Sequence, residues 1–281
     1  LPPCKKGGIL RGCLDALRVQ SYPADLLEII VANNCPREPI SFAAEYPTIT
    51  FIDEAKPGSY AARNAALAMA SGEIIAFTDA DCTPDTHWIE HAVAALQSGV
   101  DVVAGHVELY FHSNKLNAAE CYEKAFAFRQ DQNAQQGRSV TANMVTWKKC
   151  FDQIGLFDDS LMSGGDSKWS KAASGAGLRL EYVSGAVVNH PARSSVSGLL
   201  IKAKRVAGGL VKPSLKGYLQ GGLLFVMSVL PPLNVIAQIV PLGHLSLLEK
   251  LKACWVGFLI KRHFMVSKAR LLFGLDKPER V

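Results

Sequence analysis

The chain has 281 residues, 49% hydrophobic and 20% charged, enough to bury a full core and too apolar for a disordered polymer. Its seven cysteines are scattered, with no C-x-x-C pair and no histidine at finger spacing. They argue against a disulfide framework or a structural zinc site and fit a reducing compartment. The formal net charge of +5 hides a split: residues 1–192 carry 16 Lys and Arg against 22 Asp and Glu, net −6, and residues 193–281 carry 14 against 3, net +11.

Leu1-Pro2-Pro3-Cys4-Lys5-Lys6 has no apolar stretch of the signal-peptide kind behind it. Ile9, Leu10, Cys13, Leu14 and Leu17 recur at helical spacing and predict a helix over 8–19, stopped by Ser21-Tyr22-Pro23. Apolar runs predict strands at Leu27–Ala32, Ile49–Ile52 and Glu73–Thr78, with an Ala-rich helix over about 60–70 between the second and third. This alternation is the rhythm of a mostly parallel sheet covered by helices on both faces. Downstream, the pattern predicts a helix over 84–96, a strand over 101–109, one long helix over 117–132 and a strand over 139–146. A short helix over 166–173 and a last strand over 180–188 follow. Beyond His190-Pro191 the chain turns helical and basic, which places the domain boundary at 192 and divides the chain into 1–192 and 193–281.

Glu73–Thr78 runs into Asp79-Ala80-Asp81, two carboxylates separated by one residue at the end of an apolar strand. Period two puts them on one side of the C-terminal edge, where open α/β sheets bind ligands. Converging acids there call for a shared cation, and hard carboxylate oxygens suit Mn²⁺ or Mg²⁺ on a phosphate. The plainer reading is a turn in which Asp81 or Thr83 caps the following helix, which needs only one acid. Arg63 opens a helix, where exposed N–H groups already favour anions and a guanidinium can grip a diphosphate; alone it reads equally as a surface arginine. Asp166, after Ser163-Gly164-Gly165, is placed to act as a general base or merely as a helix cap. His190, at a strand end, can complete an Asp79, Asp81, His190 metal set or be structural.

The order of these pieces resembles the family 2 inverting glycosyltransferases of the GT-A fold. The resemblance rests on Cys13-Leu14-Asp15-Ala16-Leu17, Gln20-Ser21-Tyr22-Pro23, Glu28–Asn34, Ala62-Arg63-Asn64, Ser71-Gly72-Glu73, Thr78–Asp81 and Gly155–Asp158 before Gly165-Asp166. It covers about residues 3–192. It implies a GT-A, Rossmann-like sheet whose first strand precedes Leu1, and a nucleotide-sugar donor, a UDP-sugar foremost. It also implies a metal-diphosphate clamp of Asp79 and Asp81 assisted by Arg63, Asp166 as catalytic base, and His190 as a metal or diphosphate contact. Asn33 stands where the family usually has an acid that contacts the nucleotide base. A single in-line displacement with inversion at the anomeric carbon would follow.

Two other readings compete. Asp79-Ala80-Asp81-Cys82-Thr83 also fits the D-x-D-x-T string of haloacid-dehalogenase phosphatases, with Asp79 as nucleophile; Asn33 and the missing strand allow a non-catalytic binding protein. The tail points to a membrane rather than nucleic acid. From Gly217 to Leu248 there is no charged residue, and Lys212, Lys216, Lys250 and Lys252 flank the span. Pro231-Pro232 interrupts it, so a broken span, a re-entrant hairpin or an interfacial helix at the cytoplasmic face is expected, the plainer reading being a helix pair packed on the domain. The acceptor would then be a saccharide or a lipid-linked sugar in polysaccharide or glycolipid synthesis.

Overall fold

A computed structural model describes residues 7–111, 113–161, 163–208 and 222–276. They fall into two compact units, one from the start of the described chain to Glu108 together with Phe128–Pro191, the other from Leu109–Ala127 and the chain from Ala192 onward.

In the first unit, α1 (Gly7–Arg18) leads into β1 (Ile29–Asn33), β2 (Ile49–Asp53), α2 (Ser59–Met69), β3 (Ile74–Thr78) and the two-residue β4 (Thr83–Pro84). Then come α3 (Trp88–Gln97), β5 (Val102–Tyr110) and, after α4 (Ala118–Phe126), which belongs to the second unit, α5 (Gln130–Gln135), β6 (Asn143–Trp147), α6 (Lys149–Ile154), α7 (Gly165–Gly175) and β7 (Leu180–Pro191). The strands form a pair, β1-β2, and a five-stranded sheet in the order β3-β6-β5-β7-β4. Successive residues of a strand point to opposite faces, and here both faces are buried. Val102 and Met144 pack with Tyr60, Phe151, Phe157 and Trp169, while Val103 and Val145 pack with Trp88, Ile89 and Val188 on the other side. Helices do cover the sheet on both sides.

The strand directions correct the sequence reading. β1 and β2 pair in parallel, Ile29 opposite Ile49 and Asn33 opposite Asp53, and β5 runs alongside β7 in the same direction, with the Val102 N–H on the Arg179 carbonyl at one end and the Ala192 N–H on the Tyr110 carbonyl at the other. β6 runs antiparallel to both neighbours, with Thr78 opposite Asn143 and Val102 opposite Thr146, and β4 is antiparallel to β7. The fold is mixed α/β rather than mostly parallel. Continuous apolar strands report burial on two faces, which parallel sheets usually have; they do not report direction. The expected helix over 117–132 is also two helices, broken at Phe128, whose φ of 49° is left-handed. The strand expected before Leu1 lies outside the described residues.

The second unit packs α4 with α8 (Val196–Gly208), α9 (Leu233–Ile239) and the 26-residue α10 (Leu247–Leu272). Both α4 and α10 begin with a reciprocal capping box, Asn117 with Glu120 and Ser246 with Glu249. Glu123 on α4 is buried and accepts from the Arg193 backbone N at 3.2 Å and its guanidinium at 3.3 Å, so its charge is paired rather than stranded. No described helix is long and apolar enough to cross a membrane. The flanking Lys212 and Lys216 lie outside the described residues.

Candidate active site

β3 ends at Thr78, and the Cys82 N–H then donates to the Asp79 carbonyl at 3.0 Å. The rule that places i and i+2 on one side holds for extended backbone. Here the chain turns, and the two acids take different partners. Asp79 Oδ1 accepts from the Arg63 guanidinium at 2.6 Å. Asp81 Oδ1 lies 3.8 Å from His190 Nε2 and is buried without a hydrogen-bond partner. Neither acid caps a helix: α3 starts at Trp88, and its cap position is His87.

His190 is 3% exposed. Its Nδ1 is 2.8 Å from the Pro191 carbonyl, which can only accept, so Nδ1 carries a proton and leaves Nε2, on the Asp81 side, as the nitrogen able to act as a ligand. Phe128 packs against the ring in a tilted contact, 4.4 Å between centroids. Among the described residues, Asp81, Cys82 and His190 bring potential ligand atoms within 4.8 Å of one another. An unpartnered buried carboxylate oxygen beside an oriented imidazole fits a divalent cation, and the residues of this turn are chemically suited to one. Cys82 suits it less. Burial, reinforced by Asp79 and Asp81, pushes its thiol up and keeps it neutral, whereas metal ligation needs the thiolate. Cys13 is held the same way, its thiol pushed up to about 12 by burial and the same two acids, with Sγ donating to the Asp79 carbonyl at 3.8 Å.

Asp166 lies in the first turn of α7, behind Gly164 at the cap with φ 80°. Its carboxylate accepts from the Tyr60 hydroxyl at 3.1 Å, the Ser167 N–H at 2.8 Å and the Thr141 N–H at 3.3 Å. Burial first, and Asp166 second, push the Tyr60 phenol up to about 12, so it stays a donor. Gly165 permits the approach: a Cβ there would stand 2.8 Å from the Tyr60 ring. Asn64, one residue past Arg63, clasps both backbone groups of Phe157, donating to its carbonyl at 2.9 Å and accepting from its N–H at 3.1 Å. Arg63 itself is the fifth residue of α2 rather than part of its first turn.

Asn33, at the end of β1, is buried. Its amide donates to Asp53 Oδ1 at 2.9 Å and the Glu38 carbonyl at 3.2 Å, and its carbonyl oxygen accepts from the Cys35 N–H at 3.0 Å. Both donors are used and one lone pair is left. Sequence reasoning missed Tyr60, Asn64 as a clasp, and Phe128. Tyr60 and Asn64 flank Arg63 in the helix and were open to notice, whereas a left-handed phenylalanine leaves no sequence signal. Trp169 is core, stacked on Phe151 at 4.5 Å.

The sequence pattern of glycosyl transferase family 2 matches residues 2–147, just over half of the chain. The chain belongs to glycosyl transferase family 2. A relative, the glycosyltransferase AglE of Haloferax volcanii, is 33% identical over 221 residues, 75% of this chain and 72% of that protein. The fold resembles the mannosyltransferase PcManGT from Pyrobaculum calidifontis, solved with GDP-Man and Mn²⁺, with a TM-score of 0.60 at 17% identity over 97% of this chain and 85% of that one. It also resembles residues 1–349 of S. aureus TarS, with a TM-score of 0.50 at 15% identity over 95% and 87%. These likenesses place the family 2 chain in the mixed α/β, GT-A-type fold.

Proposed function

We propose that the enzyme transfers a sugar from a nucleotide-sugar donor to an acceptor hydroxyl with inversion, Asp166 acting as base. The observation that carries the reading is Asp81 Oδ1, buried and unpartnered beside the oriented Nε2 of His190. Asp81 and His190, with Asp79 nearby in the turn, would hold Mn²⁺ or Mg²⁺, which supplies positive charge to the departing diphosphate. Arg63 reaches the same turn through Asp79 and can exchange that carboxylate for a diphosphate oxygen. Asp166 takes the proton of the attacking hydroxyl, and the N–H and O–H donors around it fix the carboxylate's direction.

At the base-contacting position, the lone pair left on Asn33 accepts an N–H. That matches the imide edge of uracil or the N1–H of guanine. The phosphatase reading is not favoured by the family match, and Asp79 is held by Arg63 rather than left as a nucleophile. The acceptor we assign to a saccharide or lipid-linked sugar of cell-surface polysaccharide or glycolipid synthesis, at the cytoplasmic face of a membrane.

Calorimetric titration of the full chain with a panel of UDP-, GDP- and ADP-sugars, with and without Mn²⁺, tests this. Mn²⁺-dependent binding of a uridine or guanosine donor is expected, lost in Asp81→Ala. Metal-independent binding, or no donor bound at all, would refute the reading.

A further inference from the structure

Twelve of the twenty large apolar side chains exposed among the described residues fall between Leu223 and Trp255. A soluble surface scatters such groups singly, and a concentration of this kind marks something that covers it.

The pattern within α10 says what. At 100° per residue, Leu247, Leu248, Leu251 and Trp255 fall within about 100° of arc, and all four are exposed, Leu247 at 75% and Trp255 at 55%. Ala253, Val256 and Gly257, buried in the second unit, lie across the helix from that arc. The helix therefore has two apolar faces, one packed and one open. Along the open face the residue type changes in order: leucines first, Trp255 about 12 Å further on, then the exposed Arg262 on the same arc. Leucine, tryptophan, arginine is the order of depth in a bilayer margin, from acyl chains through the headgroup boundary to water. A protein partner or a second copy would not require that gradient.

Charge agrees. The 193–281 region carries net +11, and no charged residue occurs between Gly217 and Leu248, where Phe225 and Leu230 are also exposed. Lys250 and Lys261 reach back to backbone carbonyls at Val240 and at Leu230 and Pro231, which satisfies groups that an apolar medium would leave bare.

We propose that this face is a monotopic docking surface that lies in the headgroup boundary of an anionic lipid bilayer, entering one leaflet without crossing it. The proposal does not rest on the transferase reading. Flotation of the full chain with vesicles of phosphatidylcholine, alone or with phosphatidylglycerol, tests it. Association is expected with both and stronger with the anionic mixture. Trp255 fluorescence should shift to the blue and be quenched by lipids brominated in the acyl chain, a response absent in Trp255→Phe. The exposed-site double variant Leu251→Ser/Trp255→Ser should lose roughly tenfold or more in association with an unchanged thermal melt. Failure to float with either vesicle, or a double variant that floats like the parent, would overturn the proposal. So would a dimer by light scattering that the double variant dissolves in the absence of vesicle binding.

Discussion

At Asp166 three donors from separate parts of the chain meet one carboxylate: the Tyr60 hydroxyl from α2, the Thr141 N–H ahead of β6 and the Ser167 N–H of its own helix. Asparagine keeps the shape and removes the basicity, so Asp166→Asn should lower kcat by about 10² to 10⁴, the range for a positioned general base. Donor affinity should stay within a few-fold, and single-turnover rates with titrated donor would separate the two. Gly165 makes the sharper stereochemical point. An alanine methyl would stand 2.8 Å from the Tyr60 ring, closer than a carbon pair tolerates. Gly165→Ala should therefore destabilise the fold by about 1–3 kcal/mol, as overpacking does, and cut activity, while Gly165→Ala/Tyr60→Leu regains stability without regaining rate. Denaturant melts beside turnover rates read both. At this scale the sequence offered the candidate groups Asp79, Asp81, Asp166 and His190, because charge and glycine are visible in letters. It could not name Phe128, whose left-handed backbone and tilted contact with His190 leave no mark in the letters.

One scale up, the segment between α6 and α7 is held by two ties. Asn64 clasps Phe157, and Asp158 accepts from Lys168 at 2.7 Å and from Ser160. Chiefly through the Lys168 bond, and then through Ser160, the Asp158 carboxyl is lowered to about 2. A depressed carboxylate contributes stability that is complete above its unfolded value, near 3.9, and is lost as pH falls toward 2. The pair is largely exposed, so its share is small. Asp158→Asn should flatten the acid limb of the stability curve between about pH 4 and pH 2 and leave neutral pH nearly unchanged, as chemical melts across that window would register. The elements themselves were legible to within a few residues wherever an apolar run ended in a turn, as at β2, β3 and β7. Direction was not, because antiparallel β3-β6-β5 is buried on both faces and so spells the same continuous hydrophobic run as a parallel strand. The break between α4 and α5 was illegible as well: Ala127-Phe128-Arg129 contains neither proline nor glycine.

Across the whole molecule the charge is partitioned, net −6 over residues 1–192 and +11 over 193–281, and the exposed apolar side chains are concentrated in the basic part. The two forces that would hold such a region on a lipid surface respond differently to salt. Coulomb attraction between the lysines and arginines and anionic headgroups is screened as the Debye length falls from about 10 Å at 0.1 M to about 3 Å at 1 M. Burial of the Leu247–Trp255 stripe is not weakened by salt. Raising NaCl across that range should erase the preference for anionic over neutral vesicles yet leave a residual association common to both, and that residue should vanish in Leu251→Ser/Trp255→Ser. Flotation at the two ionic strengths, with parent and double variant, separates the contributions. Complete release of the parent at high salt would leave charge as the sole attachment and the apolar stripe uninserted. A persistent anionic preference at high salt would instead mean that the cationic groups meet headgroups at contact distance, where screening is weakest.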